Sequence, residues 1–311
     1  MSVAFISHPA CRLHQMGARH PEGPARLAAI EDQLHAQGLY DFLVHREAPR
    51  ATLEQLARVH PREYVERIAA RVPAEGLVHL DPDTAMCPGS FEAALRAAGA
   101  NVLAVDLVMR GEARRAFCSV RPPGHHAERD TAMGFCIFNN VAIGVAHAME
   151  EYELERVAVV DFDVHHGNGT EDIFRKDPRV LFCSSFQHPF YPFSGADTRS
   201  DHIINIPLPA GADGSAFRAE AERNWLPALT RFEPQLILIS AGFDAHAEDD
   251  MSHLWFREAD YAWITNRLKQ IADRFAAGRM VSVLEGGYAL SALGRSVTVH
   301  IDAMLGHAPH C

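Results

Sequence analysis

The chain has 311 residues, 48% of them hydrophobic and 22% charged, with a formal net charge of −11. This is the composition of a globular protein with a sizeable core, in one large α/β domain or two small ones. The acidic balance, with no Lys/Arg-rich run, argues against nonspecific binding to nucleic acid and leans mildly toward cationic substrates such as polyamines.

No apolar run reaches 18 residues, so no membrane-spanning helix is expected. The opening MSVAFISHPACRLH lacks the basic start and long apolar stretch of a secretory signal. Cys11, Cys87, Cys118, Cys136, Cys183 and Cys311 form no CxxC pair, which argues against a thiolate zinc finger. Cys118, Cys136 and Cys183 lie in apolar stretches and read as buried thiols. The expectation is a reduced, cytoplasmic protein.

In chain order, Val3–Ser7 predicts a first strand, and the loop His20-Pro21-Glu22-Gly23-Pro24 leads into a helix over Ala25–Gln37. Arg26, at its start, points either to solvent or inward. Short helices are predicted at Thr52–Ala57, with Thr52 as cap, and at Pro61–Arg71. Leu80–Gly89 reads as a loop, after which Ser90 caps a long helix to about Met109. Ala116–Val120 predicts a strand that exits sharply through Arg121-Pro122-Pro123-Gly124 into His125-His126. A helix over Asn139–Glu150 follows Gly134-Phe135-Cys136.

The most informative stretch is Val157–Thr170, VAVVDFDVHHGNGT. Its apolar β-branched start is the pattern of a strand buried on both faces of a parallel sheet. Side-chain alternation sends Asp161, Asp163 and His165 to one side before the Gly167-Asn168-Gly169 turn. Beyond it come a short helix at Glu171–Arg175, a strand at Val180–Phe186, a short edge strand at Ile203–Ile206 and a helix over Gly214–Arg231 interrupted near Pro227. Leu236–Ser240 predicts a strand opening into Ala241-Gly242-Phe243-Asp244, and Glu258–Ala276 a long helix. Met280–Leu284 predicts a strand opening into Glu285-Gly286-Gly287-Tyr288, before a last helix capped by Ser291. This alternation predicts a parallel sheet sandwiched between helices, as one domain spanning residues 1–311.

Four strands thus end in polar signatures, RPPGHH, DFDVHH, AGFD and EGGY, at the edge where a parallel sheet builds its site. They supply Asp163, His165 and Asp244 as candidate metal ligands, the His125-His126 pair as candidate acid/base, and Tyr288 on a glycine turn. One His with two carboxylates suits a catalytic zinc with an open position for water.

With these motifs in order, HPEGPARL, RPPGHHA, GFCIFNN, VDFDVHHGNGT, SAGFDAH and LEGGY, the chain resembles the zinc-dependent histone deacetylase superfamily over nearly its whole length. The superfamily includes bacterial histone-deacetylase-like and acetylpolyamine amidohydrolases. GNG and EGGY are similar to class II and bacterial members rather than class I. The resemblance implies the arginase/deacetylase-like three-layer fold, an eight-stranded parallel sheet between helices, and removal of acetyl or similar acyl groups from an amine. It implies one zinc on Asp163, His165 and Asp244. His126 would be general base then general acid, His125 an electrostatic partner oriented by Asp161, Asn168 the holder of His126, and Tyr288 the oxyanion donor. An amide in place of a carboxylate at Asn168 would leave His126 less basic.

Further expectations come with the resemblance alone. A structural potassium would use Asp161, Asp163, His165 and Ser184, and a second one Phe174 and Val180. Gly134 and Phe135 would line one wall of an acyl-lysine tunnel and Tyr191 the other, with Asp83, Met251 and Gly287 also in contact with substrate. Arg26 would lie beneath the metal. Phe186 marks a difference at the rim, and Met251, where polyamine-specialised members have an acidic residue, argues against a dedicated polyamine enzyme. His246 reads as a surface histidine. Arginase-type ureohydrolysis needs two bridging metals and further Asp ligands, and a silent acyl-lysine binder would be marked by loss of Tyr288 or a ligand; neither pattern is present.

Overall fold

A computed structural model describes residues 2–306. Cys311 and the last residues of the expected domain lie outside the described range. The elements, in order, are β1 (Val3–Ser7), α1 (Ala25–Ala36), β2 (Val44–Glu47), α2 (Leu53–Ala57), α3 (Arg62–Ala70), β3 (Val78–His79), β4 (Ala85–Met86), α4 (Ser90–Met109) and β5 (Arg115–Cys118). There follow α5 (Asn140–Glu151), β6 (Val157–Asp161), α6 (Asn168–Phe174), β7 (Val180–Gln187), β8 (Ile203–Leu208), α7 (Gly214–Glu220), α8 (Leu226–Phe232), β9 (Leu236–Ala241), α9 (Glu258–Phe275), β10 (Met280–Leu284) and α10 (Leu290–Leu305).

Eight strands form one sheet in the order β2-β1-β5-β10-β9-β6-β7-β8, and every pairing in it is parallel. Parallel neighbours need crossovers, and the intervening helices cover both faces, so the central strands are largely apolar and buried. Val157, Ala158, Val159 and Val160 of β6 are all 0% exposed; burying each valine contributes roughly 1.5–3 kcal/mol. The order places β5, β10, β9 and β6 side by side. These are the four strands that end in RPPGHH, EGGY, AGFD and DFDVHH, so their carboxyl ends open into one crevice.

The structure departs from the sequence reading at identifiable places. Strand β2 (VHRE) is mostly exposed at the sheet edge and carries no alternating signal. The expected loop Leu80–Gly89 contains part of a two-stranded antiparallel turn, β3 with β4. Ser90 does not cap α4; its hydroxyl accepts the Cys87 N–H (2.8 Å) and closes the preceding turn. Ser291 lies inside α10, where its hydroxyl accepts from Arg295 (2.7 Å), and Ala289 precedes that helix. The helix expected over Gly214–Arg231 is α7 and α8 joined by one wide turn, Ala221–Trp225, and Pro227 sits in the first turn of α8. The Trp225 indole in that turn donates to the Ile204 carbonyl (3.0 Å), pinning it to β8. Among the described residues, no helix is long and apolar enough to cross a membrane.

Candidate active site

The strand β6 ends at Asp161, so Asp163 and His165 lie in the turn beyond it. Side chains nonetheless keep the alternation because each carboxylate accepts the backbone N–H two residues on. Asp161 Oδ1 takes the Asp163 N–H (3.1 Å) and Asp163 Oδ1 takes the His165 N–H (2.9 Å). Such Asx-type bonds replace the ladder where the strand stops. Asp244 arrives from the end of β9, and its Oδ1 accepts the Val164 N–H (2.9 Å), tying the two strand ends together.

Asp163, His165 and Asp244 bring one ligand atom each to within 4.8 Å of one another, all buried. His165 Nδ1 is 3.1 Å from Asp163 Oδ1 and 3.3 Å from Asp244 Oδ2. One ring nitrogen cannot satisfy two carboxylates, and Asp244 Oδ2 is a buried oxygen without a hydrogen-bond partner. The distal oxygens are already held, Asp163 Oδ2 by the Gly286 N–H (2.8 Å) and Asp244 Oδ1 by Val164. Two oriented carboxylates and an imidazole converging on one unsatisfied point fit a divalent cation, with room for a further ligand. Charge crowding shows in the titrations. Burial and the neighbouring Asp163 push Asp244 up to about 6. Burial alone would lower His165, but its hydrogen bond to Asp163 and the nearby negative charge of Asp244 raise it to about 9.

Beside this group, the rings of His125 and His126 lie 4.0 Å apart, centroid to centroid. His125 Nδ1 bonds Asp161 Oδ2 (2.9 Å), and His126 Nδ1 bonds Asn168 Oδ1 (2.7 Å). Burial opposes charge on His125, yet Asp161 and Asp163 raise it well above its ordinary value. For His126, burial and the charges of His125 and His165 act together and hold it well below. The two imidazoles are thus pushed in opposite directions, His125 toward its charged form and His126 toward its neutral one. Gly134 permits this packing: a Cβ there, at φ +56°, would stand 2.4 Å from His126 Cδ2.

A cavity of about 250 Å³ opens above these groups. Phe135 stands edge-on to Tyr288 (6.1 Å), Tyr191 edge-on to His126 (5.2 Å), and Phe190 stacks on His165 (5.6 Å). Gly134, Asp83, Pro123 and Met251 also line it. Asp83 is exposed at a turn whose geometry is made by Asp81, whose Oδ1 accepts the Asp83 and Thr84 N–H groups; Asp83 is left free to face the opening. Gly286, not Gly287, lines the cavity. The Gly287 carbonyl instead accepts from Arg26 Nε (2.6 Å). Arg26 is buried, with its guanidinium 4.9 Å from the Tyr288 ring centroid. Burial raises the Tyr288 hydroxyl well above its ordinary value against the opposing charge of Arg26, so it stays protonated.

Asp161 and Ser184, two of the expected potassium ligands, are register neighbours on β6 and β7, and Ser184 Oγ lies 3.0 Å from His166 Nδ1. Phe174 and Val180 flank the turn between α6 and β7. Two expectations are corrected. Phe186 does not reach the rim; it is buried in β7 against His166 (4.6 Å). His246 is buried, not superficial, because its backbone bridges to Phe256 and its Nδ1 accepts the Glu248 N–H (3.1 Å).

Sequence reasoning missed several supports. Glu128 receives the Asn168 amide (2.8 Å). Glu285, seen only as part of EGGY, is fully buried and accepts the N–H groups of Gly124 (2.6 Å) and His125 (3.1 Å) and the Ser240 hydroxyl (3.1 Å). Glu22 bonds Arg26 and Arg121 beneath the site. Phe190 was missed because one aromatic in a Pro-rich loop carries no signal of its own.

A parallel sheet whose adjacent strand ends gather two carboxylates and a histidine beside a histidine pair has the donor set and the strand-end crevice of a candidate metal-binding active site. Residues 20–304 match the model of the histone deacetylase domain, and the chain belongs to that family. It is 41% identical over 278 residues to a histone deacetylase-like amidohydrolase of Pseudomonas aeruginosa, covering 87% of this chain and 73% of that one. It is 37% identical over 302 residues to a polyamine deacetylase of Homo sapiens, covering 92% of this chain and 44% of the human protein. The solved HDA15 HD domain superposes with a TM-score of 0.92 at 32% identity, covering 99% of this chain and 91% of that one. The chain is a hydrolase acting on amides.

Proposed function

We propose that this chain removes acetyl, or a similar short acyl group, from the amine of acetyl-lysine or a related N-acyl amine, with zinc held by Asp163, His165 and Asp244. The observation that carries the reading is the unsatisfied Asp244 Oδ2 within the buried group of Asp163, His165 and Asp244, beside the His125–His126 pair. A divalent zinc bound there supplies Lewis acidity and lowers the pKa of water to roughly 7.

The chain's own groups do the rest. Phe135, Tyr191 and Phe190 present apolar faces to a methylene stem and leave the amide among the polar groups at the floor. Asn168 Oδ1 can only accept, so His126 carries its proton on Nδ1 and turns a basic Nε2 to the cavity. His126 takes a proton from the attacking water and returns it to the leaving amine. His125, held cationic by Asp161, stabilises developing negative charge. The Tyr288 hydroxyl, protonated at neutral pH, donates to the carbonyl oxygen as it becomes an oxyanion. Potassium is part of the same reading, on the side chains of Asp161 and Ser184 with the carbonyls of Asp161, Asp163 and His165, and a second ion near Phe174 and Val180. Residues 1–311 are taken as one catalytic domain acting in the cytoplasm, supported by one sheet carrying all four motifs and by five free buried cysteines.

An acetylpolyamine is the second reading, favoured by the relative named a polyamine deacetylase and by Asp83 at the opening. Met251 in the lining favours the acyl-lysine reading. The test compares wild type with Tyr288→Phe on an acetyl-lysine peptide and on N-acetylputrescine. A loss of about 10²-fold or more in kcat is expected for the variant; equal rates would remove the proposal, and the preferred substrate decides between the readings.

A further inference from the structure

Tyr288 is carried on a turn, Glu285–Ala289, that includes Gly287 at φ +120°. A glycine-rich turn does not by itself fix the ring that follows it. Here most polar backbone groups of the turn are gripped: the Glu285 N–H donates to the Ala241 carbonyl (3.0 Å) and the Gly286 carbonyl accepts the Phe243 N–H (3.0 Å). Arg26 takes the carbonyls of Glu285 and Gly287. Asp163 takes the Gly286 N–H. Two further donors, the N–H groups of Tyr288 and Ala289, both go to one atom, Asp249 Oδ2, at 2.6 and 2.9 Å.

Asp249 is 5% exposed. Its Oδ1 accepts the Met251 N–H (3.0 Å), and its own N–H donates to the His246 carbonyl (2.9 Å). The short loop from Asp244 to Met251 therefore contains a metal-ligand candidate, a residue of the cavity lining and, between them, the carboxylate that holds Tyr288. We infer that Asp249 is a positioning residue for Tyr288. It sets where the phenol hydroxyl sits relative to the carbonyl oxygen and couples that position to the loop bearing Asp244. The inference rests on Tyr288 being the hydroxyl donor proposed above. A carboxylate that merely anchored the start of α10 would contribute stability and leave the chemistry alone.

A double-mutant cycle separates the two. Wild type, Asp249→Ala, Tyr288→Phe and the double variant are assayed at saturating zinc on an acetyl-lysine peptide, with bound zinc measured for each. Misplacing the hydroxyl by about an ångström is expected to lower kcat roughly 30- to 100-fold in Asp249→Ala, with KM and zinc content within about twofold of wild type. In the Tyr288→Phe background, where no hydroxyl remains to be placed, the same substitution is expected to change kcat less than about threefold. Asp249→Asn keeps the size and one acceptor oxygen; it is expected to lose less than Asp249→Ala, and it carries the cycle if the alanine variant does not fold. An equal loss in both backgrounds, or a wild-type kcat in the Asp249 variants, overturns the inference. A Tyr288→Phe enzyme as fast as wild type would instead overturn the functional reading beneath it.

Discussion

Nδ1 of His126 lies 2.7 Å from Oδ1 of Asn168, and the Asn168 amide donates in turn to Glu128 (2.8 Å). The second contact sets the amide's orientation, and the amide sets the imidazole's tautomer. A surface-proximal glutamate thereby determines which nitrogen of a buried histidine is free to accept a proton.

Replacing Asn168 with Asp puts a full negative charge against that ring. The charge favours protonated His126, and the proposed general-base role needs it neutral, so the acid limb of the kcat/KM profile is expected to move to higher pH by about one unit. His126→Ala is expected to lose about 10²–10⁴-fold at every pH. Pre-steady-state or steady-state rates across pH 5–9 check both.

Gly134→Ala is expected to be disproportionately harmful for a single methyl group. The new Cβ would meet His126 Cδ2 at 2.4 Å, and φ +56° is strained for alanine. A fall in kcat of at least about tenfold, with about 1–3 kcal/mol lost in denaturant unfolding, is expected.

Acid sensitivity should arise partly far from the site. Burial holds His60 down to about 4 and His300 to about 3. His60 Nδ1 donates to the Arg129 carbonyl (3.0 Å), and Nε2 accepts the Asn139 N–H (2.9 Å) at the start of α5. A protonated ring would lose that acceptor. The folded pKa lies below the unfolded value of roughly 6.5, so the unfolded state binds the proton first. Stability is therefore full above about 6.5 and falls as pH drops toward 4, by on the order of 3 kcal/mol for His60. Urea midpoints at pH 7.5 and 5 should show the loss, and His60→Gln should flatten it.

Metal should stabilise as well as activate. Asp163 and Asp244 repel each other in a buried space, so a chelator is expected to lower the melting temperature and zinc to restore it. At a hundredfold excess over Kd the linkage amounts to about 2.7 kcal/mol. Asp244→Asn should abolish the zinc-dependent rise while leaving a folded protein, as read by calorimetry.

Much of the sheet was legible because β6, β9 and β10 are continuous apolar runs ending in glycine and charge. The gathering of Asp163, His165 and Asp244 at one point was legible for the same reason, since polar residues leaving a buried strand need partners. Strand β2 was not, because an exposed edge imposes no hydrophobic pattern. His246 was misplaced because its burial depends on a bridge to Phe256, ten residues on, which local spacing does not show. Asp249, Glu128 and Glu285 escaped notice because they act on backbone groups and amides distant in sequence. Sequence periodicity records which face a residue takes, not which N–H it will meet.

The most direct test is acetate release from an acetyl-lysine peptide by the purified chain, measured before metal stripping, after it, and after reloading with one equivalent of zinc. The account expects activity to vanish on stripping and to return in proportion to zinc bound, and not to return in Asp163→Ala. An undiminished rate in the stripped protein would contradict it.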